Sequence, residues 1–569
     1  MEIKLIKELR AAPETVKVPE GILMKDLVNK YQDMLPYRVL AVKMNNKYED
    51  LDVEVENGST VEFLDMRNHA ASLLYQRSLS MIYLKAIYDV LGKAAVWIAN
   101  SLNKGLYTEV QFFREVKNEQ GATVHREDYI NDEEIKKVEA RMREIVDKNT
   151  PFFRQIITKE EAAKRLMEEG DAEKLKLLKS STVDSIAVYS LLNYWNFFYG
   201  RMAPSTGYIQ NFELRPYNEG KAVLLRFPDY PNPEEVPPFE DDFLLSEAFG
   251  ETKSWGKLMK CPYVSDLNEK IERGAIKELI LISEALHAKK IAEIAKEVIK
   301  SKRRIVLIAG PSSSGKTTFA KRLGIQLMVE GLEPLYLGTD DYFLEREETP
   351  LDENGDLDFE NLCALDVKLF NRNLRDLLEG EEVDIPVFDF LTGHKRFGSR
   401  IISIKADQPI IIEGIHGLND MMTPDILSDE KFKIYISPLT NLGIDDHNRI
   451  SVTDSRMLRR LVRDFKFRGH SAKKTIESWP KVRAGEMNNI FPYNSKADLL
   501  FNSAHVYELS VLKKYAAPLL EAIPQSEPEY AEARRMLSFL RFFKVIEEED
   551  IIPNNSILRE FIGGSAFMD

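Results

Sequence analysis

Cysteine is scarce in this chain of 569 residues, and long apolar runs are absent. Cys261 and Cys363 lie far apart, and neither belongs to a CxxC pattern. A disulfide framework and a thiolate zinc site are therefore not expected. Because no apolar run reaches the ~18 residues of a membrane span, and because the N-terminus interleaves charges in MEIKLIKEL, neither a span nor a signal peptide is predicted. We expect a cytoplasmic protein without a membrane partner.

An excess of positive charge is also missing. Lysine and arginine number 78 against 92 aspartates and glutamates, which gives a net charge of −14. This balance argues against a surface devoted to non-specific binding of nucleic acid or anionic lipid, so any basic patch must be local. The composition, 44% hydrophobic and 30% charged, is that of a globular protein. At roughly 100–200 residues per domain the length predicts about three or four domains.

Apolar patterns divide the chain. Residues 1–65 read as a small mixed β domain, and no internal repeat is present. A helix is predicted behind the N-cap candidate Asn131, and a second, long one over 269–300. Beyond Ile305 apolar runs alternate with helical patterns, which predicts an α/β fold with a parallel sheet and crossover helices. These runs cover 305–309, 333–338, 408–413 and 432–436.

The stretch LIAGPSSSGKTTFAKRL, residues 307–323, matches the phosphate-binding pattern GxxxxGK[ST] between an apolar run and a helical pattern. The glycines let backbone N–H groups surround phosphate oxygens, Lys316 reaches the transferable phosphate, and Thr317 offers its hydroxyl to Mg²⁺. The predicted nucleotide-binding residues are Gly310, Pro311, Ser312, Ser313, Ser314, Gly315, Lys316, Thr317 and Thr318.

Carboxylates follow two of the apolar runs. Asp340 and Asp341 come directly after EPLYLGT, and Glu413 ends the run QPIIIE. Because open parallel sheets bind ligands at the carboxyl ends of their strands, an aspartate there can accept the proton of an attacking hydroxyl, and Glu413 can serve Mg²⁺. A turn or capping role for the aspartates and a solvent-facing charge for Glu413 are the alternatives.

Residues 456–483 form a local basic segment, with ten Lys and Arg against Asp464 and Glu477. Arg456, Arg459, Arg460 and Arg463 recur at helical spacing, and guanidinium groups suit phosphoryl oxygens because they are forked and always charged. The segment is predicted to contact phosphate, with a solvated helix face as the alternative.

Residues 303–520 resemble the uridine kinase/phosphoribulokinase family of P-loop kinases, and uridine-cytidine kinases in particular. TDDYF matches the family's Asp-x-Phe-Tyr segment, which implies that Asp340 is the general base. Glu360 matches the position that contacts the ribose hydroxyls, and IEGIHG matches the Phe-Glu-Gly strand. IPVFDF (385–390) and His394 match a nucleoside-contacting stretch. RRLVRDFKFRG matches the arginine-bearing lid, which implies phosphate or substrate roles for Arg460, Arg463 and Arg468.

The chain departs from this family mainly at the acceptor side. Phe343 and Phe388 replace tyrosines, which keeps aromatic surface for a base but removes two hydroxyl groups. The remaining differences are Leu362-Cys363 in place of Pro-Asp, an extra Gly393, and His470 in place of an arginine. The phosphoryl-transfer residues are kept, so the resemblance leaves the identity of the acceptor open.

The N-terminal half resembles other proteins. Residues 1–65 are similar to a TGS domain, and about 70–230 to the editing-type second domain of threonyl-tRNA synthetases, through NSLNKGLYTEV, KVEARMREIV and GRMAPSTGYIQNFEL. That domain carries metal ligands where this chain has Arg77, Met81, Phe198 and Met202, which are no zinc set. His69 has no partner four residues on. We expect a retained fold without bound metal, and the acidic residues 1–65 do not favour RNA binding.

These observations predict an ATP- and Mg²⁺-dependent kinase that phosphorylates the 5′-hydroxyl of a nucleoside similar to uridine or cytidine. A nucleotide-dependent RNA- or translation-associated switch is the alternative, although a switch needs no acceptor pocket. An oligomer is left open. The predicted division is a TGS-like, β-grasp-like domain at 1–65, an α+β editing-like domain at 66–268, a connecting helix at 269–302, the P-loop kinase domain at 303–525 and a helical extension at 526–569.

Overall fold

A computed structural model describes residues 1–9, 11–117, 123–229, 232–351, 355, 357–389, 392–440 and 442–567. Its first part is a mixed five-stranded sheet with one helix, in the strand order β2-β1-β5-β3-β4, with β1 parallel to β5. Leu5, Leu27, Val61 and Phe63 belong to its separate core. The resemblance of residues 1–65 to TGS domains stays a prediction. The elements are β1 Glu2–Ile6, β2 Glu14–Lys17, α1 Met24–Gln32, β3 Ala41–Met44, β4 Lys47–Glu49 and β5 Thr60–Leu64.

The second part combines helices with two antiparallel sheets, ordered β12-β13-β7-β6 with β8 on β7, and β11-β10-β9. The predicted helix after Asn131 is confirmed, and a capping box starts it: the Asn131 side chain accepts from Glu134 N at 3.0 Å, and Glu134 accepts from Asn131 N at 3.0 Å. The elements are α2 His69–Leu91, β6 Ala95–Leu102, β7 Gly105–Lys117, β8 Thr123–Tyr129, α3 Asp132–Asp147, β9 Phe153–Thr158, α4 Lys159–Glu169, α5 Ala172–Ser180, β10 Ser185–Leu191, β11 Tyr194–Phe197, β12 Glu213–Tyr217 and β13 Ala222–Arg226.

Three helices lead to the C-terminal half: α6 Phe243–Leu258, α7 Val264–Glu272 and α8 Ile276–Ser301. The prediction of one helix over 269–300 is wrong at its start. Gly274 has a left-handed φ of +71°, a conformation that strains residues with a Cβ atom but not glycine. The turn at Gly274 ends α7 and separates it from α8.

The predicted parallel sheet is confirmed: five parallel strands run in the order β15-β20-β14-β21-β22. In β14 Val306 and Ile308 enter one core while Ile305 and Leu307 enter another on the opposite face, so both faces are covered. The elements are β14 Ile305–Ala309, α9 Lys316–Val329, β15 Leu335–Gly338, α10 Val367–Leu378, β16 Val383–Asp384, β17 Val387–Asp389, β18 His394–Arg396, β19 Ile401–Ile402, β20 Ile410–Glu413, β21 Lys431–Ser437, α11 Val452–Phe467, α12 Ala472–Asn489, β22 Leu499–Asn502, α13 Glu508–Glu521, α14 Tyr530–Leu540 and α15 Arg559–Ile562.

The largest core crosses the predicted domain boundaries. It includes Val188 of β10, Ile291 of α8, Ile308 of β14 and Phe561 of α15. The helix α8 and the C-terminal segment thus pack into the same apolar core as the parallel sheet, and the domain limits themselves stay predictions. Across the described ranges, every helix is too short or too polar to cross a bilayer.

Candidate active site

The loop between β14 and α9 has the geometry that phosphate binding requires. A Cβ on Gly310 would lie 2.1 Å from the carbonyl oxygen of Ile436, so no side chain fits there. Gly315 has φ +86°, a left-handed conformation that glycine adopts without strain. Because α9 begins at Lys316, the loop ends at a helix N-terminus, where backbone N–H groups and the helix dipole favour an anion.

Lys316 and Thr317 are held within reach of this loop. The Lys316 ammonium donates to the carbonyl oxygens of Gly310 at 3.0 Å and Pro311 at 3.4 Å. Thr317 Oγ1 donates to Glu413 Oε1 at 2.8 Å, because β20 runs parallel beside β14 and its last residue reaches the start of α9. The two predicted metal ligands therefore lie together.

Asp340 and Asp341 follow β15 in a 3₁₀ turn, Thr339–Tyr342, and they differ in their partners. Asp341 accepts from Arg400 Nη1 at 2.8 Å and from Phe388 N at 3.4 Å, so it fixes the hairpin of β17 and β18. The Asp340 side chain is exposed, yet the protein around it desolvates the carboxyl group and raises its pKa, while the charges of Lys316 and Arg468 oppose that shift. Asp341 is thus committed to structure, and Asp340 faces the cations of the site.

Two glutamates whose carboxyl groups feel the charge of Lys316 have raised pKa values. Burial raises the pKa of Glu413 to about 7 against the opposing charge of Lys316. Burial likewise raises the pKa of Glu360 to about 7, and Glu486 adds to that rise, whereas Arg460 and Lys316 oppose it. Glu360 packs so closely on Gly485 of α12 that a Cβ there would lie 2.7 Å from its own Cβ. Glu360 thus packs against α12, and it lies close enough to Lys316 for that charge to act on its carboxyl group.

The three predicted lid arginines converge on one buried carboxylate, Asp464. Arg460 Nε lies 3.2 Å from it, Arg463 Nη2 2.8 Å and Arg468 Nε 3.7 Å. Arg460 also donates through Nη1 to Ser312 Oγ at 2.7 Å, which joins this cluster to the phosphate loop. The structure brings these cations together beside the loop, and their roles toward a substrate stay predictions.

Two further arginines of the same helix were misjudged from the sequence. Arg456 and Arg459 are 1% and 0% exposed. They therefore neither belong to a solvated helix face nor contact a substrate. Arg456 pairs with Glu486, 30 residues later, and Arg459 Nη2 donates to Glu508 Oε2 at 2.6 Å, 49 residues later. No local sequence signal identifies partners at such separations.

Ser312 of the loop is held in place by Glu486 and Arg456, which form one of these buried ion pairs, and by Arg460. Its N–H donates to Glu486 Oε1 at 3.1 Å, its carbonyl accepts from Arg456 Nε at 3.0 Å, and its hydroxyl accepts from Arg460. The backbone and the side chain of this loop residue are thus all held by α11 and α12.

The acceptor-side residues form an aromatic wall. Phe343 and Phe388 are buried, with ring centroids 5.7 Å apart, and Phe359 lies 5.3 Å from Phe343. His394 is half exposed in the neighbouring hairpin, with Nδ1 2.6 Å from Glu345 Oε2. Of the predicted stretch 385–390, Phe390 lies outside the described residues.

A contact from the C-terminal segment was not anticipated. Glu560 Oε2 accepts from Thr318 Oγ1 at 2.8 Å and from Thr318 N at 3.3 Å. Ile557 covers Gly315, where a Cβ would approach its Cγ2 to 2.5 Å. The segment therefore caps the first turn of α9 from more than 200 residues away in sequence.

The four positions that replace metal ligands in the predicted editing-type domain lie on α2 and after β11. Arg77 Nε donates to the carbonyl oxygen of Arg201 at 3.0 Å, and its guanidinium lies 5.7 Å from the Tyr199 ring centroid. Where the structure describes the chain, no three His, Cys, Asp or Glu side chains are grouped to hold a metal ion. Absence of zinc stays a prediction that elemental analysis of the purified protein tests.

Comparison with known proteins finds a family, curated relatives and solved structures that match part of this chain. Residues 305–510 match the family described as Phosphoribulokinase / Uridine kinase family. The uridine kinase of Staphylococcus haemolyticus is 32% identical over 198 residues, which are 34% of this chain and 86% of that protein. The uridine kinase of Ligilactobacillus salivarius is 30% identical over 180 residues, or 32% of this chain and 75% of that protein. Among solved structures, D-glycerate 3-kinase from Cryptococcus neoformans matches 46% of this chain and 89% of its own at 14% identity, with a TM-score of 0.21, which is too low to assign a fold.

Proposed function

Because this chain belongs to the phosphoribulokinase and uridine kinase family, we propose that residues 303–525 form an ATP-dependent kinase that transfers the γ-phosphoryl group to the 5′-hydroxyl of a nucleoside. A pyrimidine ribonucleoside such as uridine or cytidine is the proposed acceptor. The observation that carries the proposal is the placement of Asp340. It is an accessible carboxylate at the end of β15, beside the charges of Lys316 and Arg468, whereas its neighbour Asp341 is held by Arg400. A nucleotide switch needs no such group.

Asp340 acts in this proposal as the general base. Its pKa is raised by the surrounding protein, which makes the carboxylate a stronger acceptor for the proton of the attacking hydroxyl. Lys316 and Arg468 oppose this rise and so favour the charged form that the step requires.

Lys316 and the lid arginines neutralise phosphoryl charge. Lys316 donates here to two carbonyl oxygens of its own loop, which are weaker partners than a phosphate, so its ammonium can exchange them for phosphate oxygens. Arg463 and Arg468 share Asp464 as their carboxylate, and reaching a phosphoryl group requires them to turn partly away from it.

Thr317 and Glu413 fit a Mg²⁺ site. Their oxygens are already adjacent, and Glu413 is a carboxylate whose charge is disfavoured until a cation compensates it. Mg²⁺ takes few protein ligands and completes its shell with water and phosphate oxygens, so two residues suffice. When bound, this ion would neutralise charge on the transferring phosphates.

Glu360 and the aromatic wall are proposed to hold the acceptor. A carboxyl group with a pKa of about 7 can accept hydrogen bonds from ribose hydroxyls and, when protonated, donate one. Phe343 and Phe388 offer apolar ring surface on which a base can stack.

An ADP-release screen over nucleosides and small hydroxyl compounds tests the function. We expect turnover with at least one ribonucleoside, and we expect Asp340→Asn to abolish most of it while ATP binding persists. ATP hydrolysis that no acceptor stimulates would overturn the kinase proposal and favour the switch.

A further inference from the structure

A cavity of about 450 Å³ lies between the N-terminal sheet, the second part of the chain and helix α14, and no phosphate-loop residue lines it. Its wall is basic although the chain carries a net charge of −14, since it has seven basic side chains and one acidic side chain, Glu49. The basic residues are Lys47, Arg77, Arg154, Arg201, Arg534, Arg535 and Arg541.

Three of these cations are neutralised by nearby carboxylates. Lys47 lies 2.6 Å from Glu49, and Arg201 pairs with Glu49 at 3.4 Å and with Asp50. Arg535 donates to Asp454, the third residue of α11, at 3.0 Å. These residues line the cavity, but their positive charges are already neutralised within the protein.

The other four cations, Arg77, Arg154, Arg534 and Arg541, form no ion pair with any carboxylate in the part of the chain that the structure describes. The Nε atom of Arg541 is buried and has no hydrogen-bond partner. Burial lowers the pKa of both Arg77 and Arg541; the charge of Asp454 opposes the shift at Arg77, but Asp454 is the ion-pair partner of Arg535. The protein therefore desolvates two guanidinium groups that have no ion-pair partner of their own.

Aromatic rings account for part of this arrangement but not for its charge. Arg534 lies 4.8 Å from the Tyr530 ring centroid, and Arg541 lies 5.0 Å from that of Phe542. A ring stabilises a cation without neutralising it. Four unneutralised guanidinium groups around one cavity therefore still favour an anionic occupant.

We propose that this cavity is a second binding site, for a small phosphorylated molecule of the pyrophosphate or nucleotide class. Guanidinium groups match phosphate oxygens in geometry and remain charged at every physiological pH. A cavity of about 450 Å³ falls within the ~300–1,000 Å³ typical of small-molecule sites, which favours a free metabolite.

Calorimetric titration of the full chain tests the site. The titrated protein carries Lys316→Ala, which weakens anion binding at the loop between β14 and α9. The probes are pyrophosphate and UMP, with uridine as the uncharged control and citrate as a carboxylate anion. We expect saturable binding of pyrophosphate, of UMP or of both. The probe that binds more tightly shows whether the site takes pyrophosphate-like or nucleotide ligands. No binding of either at millimolar concentration, or equal binding of citrate, would overturn the proposal.

Charge-neutral variants locate the binding. Arg541→Gln is expected to weaken the binding of the phosphorylated probe at least about tenfold, since a charge-assisted hydrogen bond is lost. Arg154→Gln, at an exposed position of the wall, provides a second variant if Arg541→Gln does not fold by circular dichroism. Arg165→Gln, which removes a surface pair with Glu161 outside the cavity, is the matched control and should bind as the parent does. Unchanged affinity in both wall variants would place the anion elsewhere and refute the site.

Discussion

Thr317 donates its hydroxyl proton to Glu413, with 2.8 Å between Oγ1 and Oε1, across two adjacent parallel strands and the start of α9. This contact joins a hydroxyl and a carboxylate that the sequence places 96 residues apart. It leads to our first prediction, which concerns the divalent ion.

Glu413→Gln should raise the Mg²⁺ concentration for half-maximal activity by about tenfold or more, because a neutral amide is a poorer ligand than a carboxylate. Thr317→Ala should act in the same direction, while Thr317→Ser keeps the hydroxyl and serves as the matched control. The measurement is a Mg²⁺ titration of turnover at saturating ATP. An unchanged Mg²⁺ requirement in Glu413→Gln would show that this carboxylate does not serve the metal.

The raised pKa of Glu413 also makes stability depend on pH. Its pKa of about 7 in the folded chain exceeds the ordinary 4.5, so its contribution to stability is complete below about pH 4.5 and is lost as pH rises through 7. Glu413→Gln has no such loss. We therefore compare the free energy of unfolding of the variant with that of the parent, both in EDTA. The difference, variant minus parent, should increase by up to about 3 kcal/mol between about pH 4.5 and 7.

Chemical unfolding at several pH values measures this difference. Glu297→Gln, at an exposed carboxylate near the end of α8, is the control and should follow the parent at every pH. Parallel curves for Glu413→Gln and the parent would contradict the raised pKa.

The position of the loop between β14 and α9 could be predicted because its signal is local: the glycines, Lys316 and the flanking apolar and helical patterns all lie within one stretch. The position of Asp340 directly after β15 could be predicted in the same way, whereas its role stays a proposal. The partners that hold the loop could not be predicted, since Glu486 and Glu560 approach Ser312 and Thr318 from distant helices. Their positions depend on how α12 and α15 pack, which local periodicity does not encode.

Lys316 and Asp340 should separate binding from chemistry. Lys316→Ala removes a contact to the phosphates, so we expect both lower kcat and weaker ATP binding. Asp340→Asn removes the proton acceptor, so we expect kcat to fall roughly 10²–10⁴-fold with ATP affinity nearly unchanged. Steady-state kinetics together with equilibrium ATP binding distinguishes the two. Near-parental turnover by Asp340→Asn would exclude Asp340 as the base.

Glu560 presents a carboxylate to the first turn of α9, where the phosphates of a nucleotide are expected. Replacing it by glutamine keeps a group that can accept hydrogen bonds from Thr318 and removes one negative charge. We therefore expect Glu560→Gln to lower the KM for ATP several-fold, with a larger effect at low ionic strength because electrostatic repulsion is screened by salt. A KM that is unchanged at low salt would show that this charge does not oppose the nucleotide.

The acceptor pocket provides the last prediction. Phe343 and Phe388 give a ring surface without hydroxyl groups, and stacking on it tolerates any base, whereas hydrogen bonds select one. An apolar pocket rejects a close analogue by only about 10²-fold, while a polar contact can reach roughly 10⁴-fold. We expect ribonucleosides to be phosphorylated with loose base preference, and 2′-deoxyuridine to be a poor substrate because Glu360 loses a hydroxyl partner. Values of kcat/KM for uridine, cytidine, a purine ribonucleoside and 2′-deoxyuridine test this. A preference for uridine above about 10³-fold over every other base exceeds what apolar contacts supply, and would mean that a polar group elsewhere in the pocket selects the base.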